Sequence, residues 1–186
     1  DRGLLPILDC AYQGFADGIE EDAAGLRAFL WPGKELFVCS SFSKNFGLYR
    51  ERVGALSAIA SSAEAAGAVQ SQLNRVIRCN YSNPPAHGAE VVNCVLRDDE
   101  LRKTWEHEVA TMRQRINGMR RALVDEIAAK GMPGDYGFIT RQRGMFSFTG
   151  LTKEQVETLR EEYAIYIVGS GRINVAGLTP STIGRV

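Results

Sequence analysis

Apolar residues recur along this chain in two rhythms. Over the first sixty positions they come as short continuous runs. Leu4-Leu5-Pro6-Ile7-Leu8 is closed by Asp9, Glu35-Leu36-Phe37-Val38-Cys39 follows, and a third run covers 53–60. Runs of this length predict short buried strands, and the stretch 22–31 predicts a short helix between the first two. From position 62 the spacing lengthens to three and four. Ala66, Val69, Leu73, Val76 and Ile77 predict a helix over 62–78, which Asn80-Tyr81-Ser82-Asn83-Pro84-Pro85 breaks. A second helix opens at Pro84 or Pro85 and reaches Leu96. Leu101, Trp105, Val109, Met112, Ile116, Met119, Leu123 and Ile127 then predict one amphipathic helix over 98–130. At 1.5 Å per residue it measures on the order of 45 Å, enough to run from one domain into another. Gly131 supplies its C-cap, and Gly118 marks a bend. Beyond Gly134 the pattern predicts strands at 136–141, 144–149, 164–168 and 172–175. Thr152 with Gln155 predicts a capping box opening a helix that ends near Tyr163, and Thr179-Pro180 predicts one more helix start. Strands alternating with helices predict an α/β layer with a mostly parallel sheet in the first part. A small α+β domain follows it.

Composition narrows the class of partner. The 186 residues are 45% hydrophobic and 24% charged, with 22 basic and 22 acidic side chains and a formal net charge of zero. Such a balance gives no broad electrostatic case for nucleic acid or a membrane surface. No apolar run approaches the ~20 residues a membrane span needs, and the start shows no signal peptide. Cys10, Cys39, Cys79 and Cys94 form no CxxC pair and no metal spacing with His87 or His107. Cys10 and Cys39 lie in apolar runs and read as buried free thiols in a reducing, cytoplasmic compartment. The chain opens at Asp1 without a methionine and stops at Val186 just after a helix start, so a fragment of a longer protein is expected.

The candidate chemistry lies between the second and third apolar runs. Ser40-Ser41-Phe42-Ser43-Lys44-Asn45-Phe46-Gly47-Leu48-Tyr49-Arg50-Glu51-Arg52-Val53-Gly54 is a polar loop with three serines in its first four positions, a lysine and two arginines. Hydroxyls and a guanidinium fork suit phosphate oxygens, and a lysine amine in apolar surroundings is a nucleophile toward carbonyls. An anion site beside a reactive amine is what pyridoxal phosphate requires.

Residues 41–54 closely resemble the cofactor-lysine segment of the class I aspartate and aromatic amino acid aminotransferases. The resemblance runs through most of the chain, which corresponds to the family's C-terminal half. It implies a fold type I enzyme and a homodimer with shared active sites. Residues 1–112 would be the C-terminal part of a three-layer αβα large domain. Residues 113–186 would be the small domain, reached through the long helix and truncated at its last helix. It implies pyridoxal 5'-phosphate as cofactor, and amino acids and 2-oxo acids as substrates. Lys44 would carry the cofactor and then move the substrate proton. Arg52 and Ser41, with Ser43 beside them, would hold its phosphate. Asp9 would face the ring nitrogen and Tyr12 the phenolic oxygen. Arg172 would take the substrate α-carboxylate, Arg78 would reach across the dimer to a distal carboxylate, and Phe146 would pack near the substrate.

Each residue has a plainer reading when taken singly. Lys44 would be a solvated lysine, Arg52 an ion pair with Glu51, Asp9 a helix cap and Tyr12 a core aromatic. Arg78 would be a helix C-terminal cation, and Phe146 a core phenylalanine. The matched run 41–54 decides for function at Lys44 and Arg52, the wider resemblance favours it at Asp9, Tyr12 and Arg78, and both readings of Phe146 stay open. His87 and His107 have no partner by spacing and are assigned no role. Rival readings are a lyase or decarboxylase of the same fold, or a non-catalytic fragment kept for its dimer surface.

Overall fold

The computed structural model describes residues 3–186. The chain divides into two compact units, Asp1–Gly14 with Gly18–Val109, and Phe15–Asp17 with Ala110–Val186.

In the first unit β1 (Ile7–Cys10) lies parallel to β2 (Leu36–Ser41), with Leu8 opposite Val38 and Asp9 opposite Cys39. On its other side β2 pairs antiparallel with β3 (Gly54–Ile59), Cys39 opposite Leu56 and Ser41 opposite Gly54. The described sheet is therefore mixed, not mostly parallel. Parallel neighbours need a long crossover, usually helical. Between β1 and β2 a 3-10 turn at Glu21–Ala23 and α1 (Ala24–Phe29) supply one. Between β2 and β3 there is only the helix-free loop 42–53.

Burial also differs from expectation. Central β2 buries Leu36 and Val38 (1% and 5% exposed), whereas edge residues Ile7 and Leu56 are 66% and 50% exposed. Burial follows the face: Leu36 and Val38 share the buried one, while Ile7 and Leu56 pair with Phe37 and Cys39 on the other, where β2 itself is only half-buried. Cys10 and Cys39 are unpaired but half-buried, not fully buried. Burial pushes the Cys10 thiol up from its ordinary value, and the adjacent Asp9 and Cys39 add to this. Glu35, at the entry to β2, accepts the Ser61 hydroxyl at 2.7 Å and the Ser61 N–H at 3.3 Å. These bonds hold its carboxyl below the usual range.

The helices follow the predicted spacing. α2 (Ala63–Tyr81) is capped by Ser62, whose hydroxyl accepts the Ala65 N–H. α3 (His87–Arg97) begins just past the two prolines. A Cβ at Gly88 would stand 3.0 Å from the Cβ atoms of Glu51 and Val53, a tight approach, so glycine lets α3 close on the end of loop 42–53 without displacing them. α4 (Asp99–Ala129) is 31 residues long, unbroken at Gly118, and Asp98 caps it by accepting the Glu100 and Leu101 N–H groups. At its far end the Gly131 N–H bonds to the Ala128 carbonyl and the Met132 N–H to that of Ile127. This is the Schellman pattern expected of a glycine cap. Among the described residues no helix is long and apolar enough to cross a membrane.

The second unit places β4 (Phe146–Phe148) antiparallel to β5 (Arg172–Asn174), with Ser147 opposite Ile173. Ile116, Leu123, Ile139, Val156, Ile173 and Val175 form its core. α6 (Lys153–Tyr163) carries the Thr152–Gln155 capping box as predicted. Three predicted elements are absent. At 136–141 stands α5 (Phe138–Arg141), because the Asp135 carboxylate takes the Gly137 N–H at 2.7 Å and starts a turn. Residues 164–168 wind off α6 through Ala164 at φ +51°, with Ile165 N–H on the Leu159 carbonyl, and form no strand. After Thr179 the chain makes turns instead of a helix. The Thr179 hydroxyl bonds those of Ser181 and Thr182, and side-chain pairs of this kind compete with helical bonding.

Arg120, one turn after Ile116, lies wholly inside this unit at 1% exposure. Its guanidinium donates to the Ser147 hydroxyl (3.2 Å), to the Gly144 and Phe146 carbonyls (2.8 and 3.2 Å) and to Asn117 Oδ1 (3.4 Å). Burial first, and then Arg143 nearby, lower its pKa, yet an arginine stays charged. The side chain thus ties α4 to β4 and the turn before it through three acceptors, Gly144, Phe146 and Ser147. Arg120→Met would leave those acceptors bare, and we expect it to cost about 2–4 kcal/mol in urea unfolding. An unchanged midpoint would show that the buried guanidinium contributes nothing. Thr152→Ala removes only a cap and should cost about 1 kcal/mol in the same measurement.

Candidate active site

The parallel pairing of β1 and β2 brings their carboxyl ends side by side, with Asp9 opposite Cys39 and Cys10 opposite Ser40. Open α/β sheets gather ligand groups at such ends. The chain leaving β1 carries Tyr12, and the chain leaving β2 carries Ser41, Ser43 and Lys44. Loop 42–53 closes on itself: Phe42 N–H donates to the Val53 carbonyl, Leu48 N–H to Phe42 and Gly47 N–H to Lys44. Ser43 is 6% exposed, and its N–H donates to the Ser41 hydroxyl at 3.3 Å. Lys44 is half-buried, with its Nζ 4.8 Å above the centre of the Tyr12 ring. An ammonium over an aromatic face is attracted by the ring's quadrupole.

Arg52 ends the loop in the left-handed region, at φ +53°. Such a conformation is costly for a side chain with a Cβ, and strain of this kind gathers at ligand sites. Its Nη1 donates to the Tyr49 carbonyl of the same loop at 2.5 Å. Glu51 stands 4.0 Å from His87 and not in a bridge with Arg52, so the plain ion-pair reading of Arg52 does not hold among the described residues. His87 thereby has a partner that sequence spacing did not show.

Arg78 sits in the last turn of α2, exposed, with Nη1 donating to the Ser82 hydroxyl at 2.8 Å. This is also where a cation suits the helix dipole. No described contact joins it to the Lys44 cluster. In the second unit Arg172 opens β5 opposite Phe148, and its guanidinium lies 4.7 Å from the centre of the Phe146 ring. Phe146, Tyr166, Val168, Arg172 and Asn174 line an open cleft of about 300 Å³. Gly171 precedes the arginine at φ +76°, and a Cβ there would approach the Leu151 carbonyl to 2.9 Å. Only glycine brings the chain into β5 at this point.

Charge pairing separates these residues from the rest. The salt bridges of the described residues use other side chains, among them Arg102–Glu106, Lys103–Glu100 and Arg143–Asp17. Among the described residues Asp9, Lys44, Arg52, Arg78 and Arg172 enter none. In a chain with no net charge, Asp9, Lys44 and Arg52 of the first unit are thus left without a counter-ion among the described residues, as Arg172 is in the second. Hydroxyls with a guanidinium suit a phosphate, the amine suits an aldehyde, and a carboxylate suits a protonated ring nitrogen. The donor set therefore fits pyridoxal phosphate. No group of three or more metal-ligating side chains exists among the described residues.

Two residues of this neighbourhood were not singled out by sequence reasoning. Asn45 is buried and donates through Nδ2 to the Gln13 carbonyl at 3.3 Å, and its own carbonyl accepts the Trp105 indole N–H at 2.7 Å. Asn45 is uncharged and has no chemistry of its own, and Trp105 reads as one more member of the α4 apolar stripe. The available signal was the indole nitrogen, a donor that needs a partner when buried.

Comparison with known proteins places the chain. The family model for aminotransferase class I and II matches residues 1–186. The aspartate aminotransferase of Escherichia coli (strain K12) is 57% identical over 183 residues, covering 98% of this chain and 46% of that protein. The aromatic-amino-acid aminotransferase of Pseudomonas aeruginosa is 51% identical over 185 residues, covering 100% of this chain and 46% of that one. Among solved structures, the aromatic-amino-acid aminotransferase of Burkholderia pseudomallei, covalently bound to pyridoxal phosphate, superposes with a TM-score of 0.96. It is 53% identical and covers 99% of this chain and 46% of that chain. The chain thus spans a little under half the length of the relatives it matches. Its α/β architecture, its loop 42–53 and these matches agree: the chain belongs to the class I and II aminotransferases.

Proposed function

We propose that the enzyme to which this chain contributes is a pyridoxal-phosphate-dependent transaminase. It would move an amino group between aspartate or glutamate and 2-oxo acids, with aromatic amino acids as a further substrate class. The observation that carries this reading is the Lys44 amine over the Tyr12 ring, inside a loop in which neither Lys44 nor Arg52 has a counter-ion among the described residues.

When bound, the cofactor supplies an aldehyde for the amine and a ring that takes up the electron pair left at a deprotonated substrate carbon. Arg52, with Ser41 and Ser43, would hold the phosphate and so fix the ring's depth. Asp9 at the end of β1 would keep the ring nitrogen protonated, and the Tyr12 hydroxyl would bond the phenolic oxygen. Lys44 would hold the cofactor covalently until substrate arrives. Its freed amine would then carry the proton between the substrate α-carbon and the cofactor carbon. Arg172 would clamp the α-carboxylate bidentately, Phe146 would pack beside the substrate, and Arg78 of a second copy would take a distal carboxylate.

The finer architecture goes with this reading. Residues 1–112 would be part of a three-layer αβα large domain and 113–186 a small domain. Two copies would share their active sites, in the cytoplasm. Four unpaired cysteines support a reducing compartment. A lyase or decarboxylase would use the same lysine. It is separated by its products, since only a transaminase passes the amino group to an added 2-oxo acid and forms a new amino acid, without releasing ammonia or carbon dioxide.

In the enzyme at its relatives' full length, Lys44→Ala should abolish the borohydride-stable cofactor adduct seen by mass spectrometry. A retained adduct would remove Lys44 from this role. Arg78→Asp should lower kcat/KM for aspartate by about a hundredfold, since a charge-assisted bond is lost and a repulsion added, with a much smaller loss for phenylalanine. Equal losses would exclude Arg78 from distal-carboxylate binding.

A further inference from the structure

We infer that Asn45 is a positioning residue that sets where the Lys44 amine stands above the Tyr12 ring. This rests on the cofactor reading of Lys44 and adds a residue to it.

Asn45 follows the lysine, and Gln13 follows the tyrosine. The Asn45 amide donates across this gap, from Nδ2 to the Gln13 carbonyl at 3.3 Å. One side chain thus ties the residue after the amine to the residue after the phenol, two points 32 positions apart in the chain. Both anchors are themselves held. Trp105 on α4 donates its indole N–H to the Asn45 carbonyl at 2.7 Å, and its ring stacks on Phe46 at 4.6 Å. Phe42 packs edge-on against Phe46 at 5.5 Å. On the other side, the Gln13 side chain donates to the Ile19 carbonyl at 2.9 Å. The Asn45–Gln13 bond joins the loop leaving β1 to the loop leaving β2, beside the Lys44–Tyr12 contact.

Stability alone does not explain an asparagine here. Its Oδ1 is buried and has no hydrogen-bond partner among the described residues. Leaving a buried acceptor unpaired is unfavourable, and an apolar side chain of similar shape would avoid it. What the amide alone supplies is the bond to Gln13. The distance between the Lys44 nitrogen and the Tyr12 ring depends on that bond, and reaction rates fall steeply when reacting groups are displaced by a fraction of an ångström.

The test uses the full-length holoenzyme loaded with pyridoxal phosphate, comparing Asn45→Leu and Trp105→Phe with the unmodified protein. Asn45→Leu should keep the thermal midpoint and keep the borohydride-stable adduct at Lys44. Its kcat should fall about tenfold with KM nearly unchanged. The visible circular dichroism of the bound cofactor, which reports the pose of its ring, should lose amplitude. Trp105→Phe keeps an aromatic ring at this position but removes the indole donor, so it should shift the same two readouts in the same direction, and it carries the test if Asn45→Leu does not fold. A folded Asn45→Leu enzyme with unchanged kcat and unchanged dichroism overturns the inference while leaving Lys44 as the cofactor lysine. An unmodified enzyme that forms no adduct at Lys44 overturns the cofactor reading, and this inference with it.

Discussion

The parallel pairing of β1 with β2 is the constraint on which the first unit depends. Parallel strands end at the same edge of a sheet, so whatever follows each of them is brought together at that edge. Asp9 and Tyr12 follow or close β1, and Ser41, Ser43 and Lys44 close or follow β2. Had these strands run antiparallel, the carboxylate would stand at the opposite edge from the amine. The return pairing of β3 serves the same end differently. Because Ser41 lies opposite Gly54, the loop between them is pinned at its base. Lys44 and Arg52 are thereby held on one short closed segment.

How a basic side chain is treated separates support from chemistry in this protein. Arg120 is buried, and every bond it makes goes to a neutral oxygen of the protein. Those oxygens absorb four of its five N–H donors, and at 1% exposure the side chain is closed to a ligand. Lys44 and Arg172 instead lie over aromatic rings, at 4.8 and 4.7 Å. A ring steadies a cation without using up its hydrogen-bond donors. The structure therefore spends its carbonyls and hydroxyls on the arginine that holds β4, and keeps free the donors of the two cations proposed to meet cofactor and substrate.

Much of this arrangement was legible in the sequence, for reasons that differ by element. The long helix was plain because one period is repeated over many residues from Leu101 to Ile127, and its glycine cap has a fixed chemistry. The capping box at Thr152 and Gln155 is similarly a local signal with a local cause. In the second unit the two strands that form, Phe146–Phe148 and Arg172–Asn174, fall inside the predicted 144–149 and 172–175, whereas two further predicted strands do not form. At 136–141 the apolar pattern of a strand is present, but Asp135 captures the Gly137 N–H and a one-turn helix follows. At 164–168 the end of α6 consumes the residues that would have paired. The mixed sheet is not legible because strand direction depends on the connection, and the polar residues of loop 42–53 carry no signal that the chain turns straight back there. Among the site residues, those bearing charge or a phenol were found. Asn45 and Trp105 were passed over because their importance lies in whom they touch, across 60 positions of chain.

Departures from local rules also collect in this same loop. Arg52 adopts a backbone conformation that a side chain resists, Asn45 keeps a buried oxygen without a partner, and Lys44 has no counter-ion among the described residues. Each is unfavourable taken alone, and a loop selected only for stability would replace all three. Their concentration between Lys44 and Arg52 has a common explanation if the surrounding contacts are built to hold a conformation that is completed by an anionic, electrophilic ligand. The Gly88 approach, the Trp105 donor and the β2–β3 pairing then act together. They over-determine the loop from three sides, so that strain and unpaired charge persist in the folded chain without being relaxed away.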